Sequence, residues 1–195
     1  MNDKLVALLQ ELETFGKEND ARETDRSRRM MNITRDTGEF LLLLARAVEA
    51  RRILEIGTSN GYSTLWLGEA VRPLSGVVVT VEQSLTKIEM ARQNFARAHL
   101  TTSIQIQHAE ASDVLRAQAD QSFGMIFLDA ERRQYIGWWS DLQRVLALGG
   151  LLVVDNAVSH ASELAEFFAL VKRTPNYLTA LIPVGNGEFI ALKQG

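Results

Sequence analysis

A chain of 195 residues that is 46% hydrophobic can build one well-packed core, and it is too short for two independent domains. It has no cysteine, so disulfides, thiolate metal sites and cysteine nucleophiles are excluded. With 21 Lys+Arg against 24 Asp+Glu the net charge is −3, which gives no global drive toward nucleic acid or an anionic membrane.

Residues 3–16 carry Leu5, Leu8, Leu9, Leu12 and Phe15 at helical spacing and predict an amphipathic helix docked by one face. Acids among them argue against a signal peptide, and a cytoplasmic location is the default expectation. The charged stretch 19–29 reads as a solvated helix or as a mobile cover over a site. Phe40, Leu41, Leu44 and Val48 predict the next helix, with Thr34 or Asp36 as its N-cap. The apolar run 40–44 is far too short to span a bilayer.

From Arg52 the pattern alternates. Strand-like runs at 52–56, 77–81, 104–106, 123–128 and 151–154 are separated by helical patterns near 62–71, 84–98, 111–117, 134–146 and 161–172. Strands divided by helices imply a parallel sheet covered on both faces. Two last strands, 178–184 and 189–192, meet at Gly185-Asn186-Gly187, a hairpin turn and so an antiparallel pair. The expected fold class is α/β, a Rossmann-like doubly wound sheet, mostly parallel, with helices on both faces and one domain over residues 1–195.

The stretch 52–66 is the centre of this pattern. Ile53, Leu54 and Ile56 run into a turn flanked by Gly57 and Gly61, and a helix starts at once, as in a cradle whose free N–H groups face a ligand. A nicotinamide oxidoreductase would need a third, middle glycine, and Ser59 stands near that place. Four strand-like runs contain or end in a carboxylate: Glu55, Glu82, Asp129 and Asp155. In a parallel sheet these ends lie on the ligand-binding edge. Glu82, about twenty residues past the turn, suits the two hydroxyls of a ribose, a reading favoured over the helix cap that any single acid there could be. Asp129, Asp155 and Asn156 form an oxygen-only set that suits Mg²⁺, Mn²⁺ or Ca²⁺.

The ordered series Met31-Asn32-Ile33 with Gly38, Leu54-Glu55-Ile56-Gly57-Thr58-Ser59-Asn60-Gly61-Tyr62-Ser63, Glu82, Phe127-Leu128-Asp129-Ala130 and Val154-Asp155-Asn156 resembles a known family. It is similar to the cation-dependent S-adenosylmethionine O-methyltransferases, the group of catechol and caffeoyl-CoA O-methyltransferases. The ending Ile182-Pro183-Val184-Gly185-Asn186-Gly187 resembles the family's last hairpin, and the likeness runs from Met31 onward.

The resemblance implies the following roles. Ile33 and the backbone beside Asn32 would line the methionine end of S-adenosylmethionine. Glu55, Gly57, Thr58, Ser59 and Gly61 would form the cradle, and Ser63 would meet the methionine carboxylate at the helix N-terminus. Glu82 would hold the ribose, with Ala109 and Glu110 beside the adenine. Asp129 would border the cofactor and, with Asp155 and Asn156, hold a divalent cation; Tyr135 lies in the helix that follows. The N-terminal helices, residues 1–50, would cover the cofactor and acceptor edge. The acceptor would be a small hydroxylated molecule, probed as phenolic or catechol-like, and the family also implies a homodimer; no nucleic acid or membrane partner is expected.

Two departures bear on catalysis. The family's best-known members place a lysine base three residues after the first metal aspartate, where this chain has Arg132, which cannot take up a proton but can steady an oxyanion or an anionic substrate. The metal alone, His160 or Glu131 could then assist deprotonation. The chain also lacks the longer segment that plant enzymes carry after Asn156, which implies an acceptor pocket that is more open, or is closed by the N-terminal charged helix or a neighbouring subunit. A cofactor-binding module with little catalysis, or a metal-independent methyltransferase, stands as the rival reading. Among the remaining residues, His108 and His99 suit packing or capping roles. Of Trp138 and Trp139, one is expected in the core and the other facing a pocket or partner.

Overall fold

The computed structural model describes residues 1–195. Two helices, α1 (Asp3–Arg22) and α2 (Arg35–Ala47), precede the alternation β1 (Arg52–Ile56), α3 (Tyr62–Val71), β2 (Val77–Glu82), α4 (Leu85–Arg97), β3 (Ile104–His108), α5 (Ala111–Ala117), β4 (Phe123–Leu128), α6 (Tyr135–Val145), β5 (Leu146–Val154) and α7 (Ala161–Arg173). The chain ends in β6 (Tyr177–Ile182) and β7 (Glu188–Lys193).

All seven strands join one sheet in the order β3-β2-β1-β4-β5-β7-β6. β1 to β5 are parallel, and β7 is antiparallel to both β5 and β6. The expected Rossmann-like architecture is therefore present. The chain winds outward from β1 to β3 and then crosses back to β4, so the loops after β1 and β4 diverge and open a crevice at the sheet's C-terminal edge.

Central strands are apolar on both faces because both faces are covered. Ile53 joins a core shared with α1 to α4, while Leu54 and Ile56 join a second core shared with α5 to α7. Each fully buried aliphatic side chain contributes about 2 kcal/mol, so the two cores fix the strands that carry the site. α2 crosses α3 where Gly38 meets Trp66; a Cβ at Gly38 would lie 2.4 Å from Trp66 Nε1.

Several boundaries differ from the sequence expectation. α1 is longer than 3–16; Asn2 caps it, accepting from Leu5 N at 2.9 Å, and the helix runs to Arg22. The charged 19–29 stretch is the end of α1 followed by a short 3₁₀ turn, Arg26–Arg28, and is mostly solvated. Thr34, not Asp36, occupies the N-cap position of α2. β5 starts at Leu146 rather than near 151, because an irregularity in its pairing with β4, with Gly149 at φ +74°, lets extra residues fit. As expected of the pair, Trp139 sits in the core, edge-on to Phe167 at 5.8 Å, while Trp138, also buried, lines the cleft at the sheet edge. No helix is long and apolar enough to cross a membrane.

Candidate active site

The turn after β1 is shaped by its neighbours. Gly57 has φ +104°, and a Cβ there would lie 2.0 Å from the Asp129 carbonyl oxygen, so only glycine lets the β1 and β4 ends come together. Gly61, at φ +86°, starts α3 against Phe95. Between them Ser59 donates its N–H to Glu82 Oε2 at 2.9 Å, and its hydroxyl donates to Met30 O at 2.7 Å. Glu82 Oε1 accepts from Gln83 N and Ser84 N at 3.0 and 2.9 Å. The carboxylate is thus held by three backbone donors, with lone pairs left for a ligand hydroxyl.

Glu55 lies under this floor. It is fully buried and accepts from Ser63 Oγ (2.6 Å), Thr64 Oγ1 (2.5 Å) and Thr80 Oγ1 (2.6 Å). Burial pushes its carboxyl up to about 7 against the pull of those three hydroxyls. Glu55 therefore acts as a support that positions Ser63, and it has no surface in the cleft.

On the other side of the crevice Asp129 and Asp155 end adjacent strands. Asn156, at φ +64°, bridges them, its Nδ2 lying 3.2 Å from Asp129 Oδ1 and 2.8 Å from Asp155 Oδ2. Burial, with Asp155 and Glu55 nearby, raises Asp129 well above the usual carboxylate range, and burial also raises Asp155. The pair is short of positive charge. Half a turn of the Asn156 amide would present Oδ1 to the same space, giving the oxygen-only donor set that hard divalent cations take. The residues fit such a cation, although the structure gathers no group of three or more His, Cys, Asp or Glu arranged to hold one.

Beneath Asp155 lies Glu188, the first residue of β7 and fully buried. Thr37 Oγ1 donates to its Oε1 at 3.2 Å, and burial beside Asp155 pushes its carboxyl far up, toward the protonated form. Tyr135, also buried, brackets Ala130, its hydroxyl accepting from Ala130 N at 2.8 Å and donating to Ala130 O at 3.2 Å. Asp20 accepts from Met30 N (2.6 Å) and Met31 N (2.8 Å), which ties the end of α1 to the segment over the cleft.

One cleft of about 950 Å³ spans both halves. Of the residues singled out in the sequence, Asn32, Ile33, Gly57, Thr58, Ser59, Ser63, Glu82 and Ala109 line it on the cradle side. Asp129, Arg132, Asp155, Asn156 and His160 line the other side. Glu55, Gly61 and Glu110 do not; Glu110 instead accepts from Gln83 Nε2 at 2.7 Å. The Asn32 side chain turns to α1 and donates to Leu12 O at 3.0 Å. His108 Nε2 lies 3.0 Å from Gln83 O, a local tie between strand ends. Arg26, on the turn after α1, reaches the rim, so the N-terminal segment does border the site. Glu188, Asp20 and Tyr135 are the supporting residues that sequence reading gave no role.

A doubly wound sheet with a glycine turn after β1, an acid at the end of β2 and a cleft at the switch point is the arrangement of nucleotide-binding α/β folds. The chain belongs to the O-methyltransferase family, whose model matches residues 6–194. It is 37% identical over 134 residues to a catechol O-methyltransferase of Mycobacterium tuberculosis, covering 69% of this chain and 60% of that protein. It is 34% identical over 139 residues to one from Niastella koreensis, covering 70% and 62%. The aligned part thus spans about three fifths of these relatives' length. The O-methyltransferase TomG of Streptomyces achromogenes, solved in complex with SAM, superposes with a TM-score of 0.79 at 26% identity, covering 100% of this chain and 91% of TomG.

Proposed function

We propose that this protein transfers the methyl group of S-adenosylmethionine to a hydroxyl of a small phenolic or catechol-like molecule, with a divalent cation at the acceptor. The observation that carries this reading is the meeting of two half-sites in one cleft: the Gly57 turn with Glu82, and the Asp129, Asp155 and Asn156 set across the switch point. In the reaction the sulfur–methyl bond breaks as the oxygen–methyl bond forms in line, and the hydroxyl proton leaves. The protein's tasks are alignment, exclusion of water and removal of that proton.

Gly57 allows close approach of the backbone, Glu82 takes the ribose hydroxyls, and the first-turn N–H groups of α3 meet the cofactor carboxylate. Asp129, Asp155 and Asn156 would hold the cation, with Glu188 buried beside Asp155. A bound cation of this kind lowers the pKa of an acceptor hydroxyl and fixes its position. Arg132 cannot accept the proton. His160 can: its Nδ1 is tied to Ser159 Oγ at 2.9 Å, which leaves Nε2 without a protein partner beside the cleft.

Calorimetric titration with S-adenosylmethionine, with and without Mg²⁺, tests the reading. Glu82→Ala is expected to weaken binding roughly tenfold or more, the value of about one lost charge-assisted hydrogen-bond pair. No binding to the wild-type protein, or undiminished binding to that variant, would sink the cofactor half. The cation half is separate: Asp155→Ala is expected to slow turnover of catechol at least roughly tenfold and chelator to do the same to the wild type. Turnover indifferent to both would leave the metal-independent alternative.

A further inference from the structure

We propose that the acceptor carries a second anionic group, a ring carboxylate, which is received by Arg132 with Arg133 beside it. This rests on the O-methyltransferase reading above and names the class of acceptor within it.

Arg132 opens the 3₁₀ turn Arg132–Gln134 that follows β4, three residues past Asp129. Its side chain is only 11% exposed, and its terminal nitrogens keep what access they have through the cleft that Arg132 lines. One donor is matched: Nε lies 3.1 Å from Glu163 Oε2, on the first turn of α7. No other hydrogen bond reaches the group from the protein, although a guanidinium has five N–H donors. Asp129 and Asp155 feel its charge, but the side-chain donor they share is the Asn156 amide, not Arg132. A guanidinium held by one carboxylate on its Nε, with its terminal N–H donors open to the cleft, is placed to receive an anionic group.

The unmatched end belongs to the cleft wall, where Arg132 and Arg133 are neighbours. Arg133 is exposed and takes part in none of the ion pairs, whereas Arg132, Arg116 and Arg144 do. Trp138, 7% exposed, lines the same wall one turn into α6. An aromatic ring placed against Trp138, with its hydroxyl toward Asp129 and Asp155, would have a separate planar fork available for a carboxylate. Two parallel N–H···O bonds are the arrangement a guanidinium makes best. A phenolate would not account for the pair, because the reacting oxygen is directed to the carboxylate and amide set.

The test uses the intact protein with S-adenosylmethionine and Mg²⁺ and three ring-matched acceptors: 3,4-dihydroxybenzoate, its methyl ester and catechol. The acid is expected to exceed the ester in kcat/KM by roughly tenfold, mainly through a lower KM, and the preference to shrink at high salt. Arg132→Met is expected to erase the preference, Arg133→Gln to reduce it, and Arg132→Lys to restore part of it, since charge returns without the fork. Methylation of all three with the ester equal to or better than the acid overturns the anionic acceptor and leaves the O-methyltransferase reading standing. Methylation of none overturns that reading. The anion site is then judged by calorimetry of the same acid and ester in the presence of S-adenosylhomocysteine. Equal binding of the two, or acid binding unchanged by Arg132→Met in a variant with wild-type circular dichroism, rejects it.

Discussion

Gly57→Ala is expected to abolish S-adenosylmethionine binding and to lower the melting temperature by about 10 °C. The added methyl would lie 2.0 Å from the Asp129 carbonyl oxygen and 2.8 Å from its carbon, at a backbone φ of +104°. Neither partner can step aside. Gly57 N is bonded to Val81 O at 3.1 Å and Asp129 N to Ile56 O at 3.0 Å, so the contact sits where β2, β1 and β4 are stitched together. Strain at such a φ costs about 1–3 kcal/mol, and forcing apart central strands adds a comparable amount. For a chain of this size each kcal/mol is worth about 2–4 °C. Thermal unfolding and cofactor titration of the variant check this, and a protein that kept both its melting temperature and its affinity would show that the turn is not held as described.

Much of this site was legible because parallel strands place their C-terminal ends on one edge. Glu82, Asp129 and Asp155 could therefore be assigned to one line before their contacts were known. Glu55 obeyed the same rule but lies one layer deeper, because strand alternation turns it toward Thr64 and Thr80 rather than to the cleft. Glu188 escaped the rule altogether. It begins a strand, but β7 is antiparallel to β5, so its first residue falls at the same edge; Phe189 pairs with Val154. An acid directly after a hairpin and before an apolar run was the available signal. Asp20 gave none, since its bonds to Met30 and Met31 N depend on how α1 packs. The start of β5 was hidden for a different reason: Gly149 and Gly150 interrupt the apolar run before Leu151, and an irregularity in the pairing absorbs them within the strand.

Between pH 4.5 and 7 the wild-type protein is expected to lose about 3 kcal/mol of stability that Glu55→Gln does not lose. The sign follows from burial. Glu55 titrates at about 7 when folded against an ordinary value of 4.5, so in this window the folded state keeps a proton that the unfolded chain has released. Its contribution is complete below 4.5 and disappears as pH rises through 7; a gap of about 2.5 units, at about 1.4 kcal/mol each, gives the figure. The same proton reaches the cofactor cradle through Ser63. With Glu55 ionised, the Ser63 hydroxyl is committed to Oε1 and offers only lone pairs to a ligand carboxylate. With Glu55 protonated, the acid can donate to Ser63 Oγ and free the serine hydrogen to point into the cleft. S-adenosylhomocysteine is therefore expected to bind several-fold more weakly at pH 8 than at pH 6. Glu55→Gln, whose amide can donate to Ser63 at either pH, should flatten the profile. Calorimetry at the two pH values, alongside thermal unfolding from pH 4.5 to 7, separates the two effects. A flat wild-type affinity would break the link between Glu55 and Ser63, while a variant with the wild-type stability slope would mean that the buried proton resides on another group.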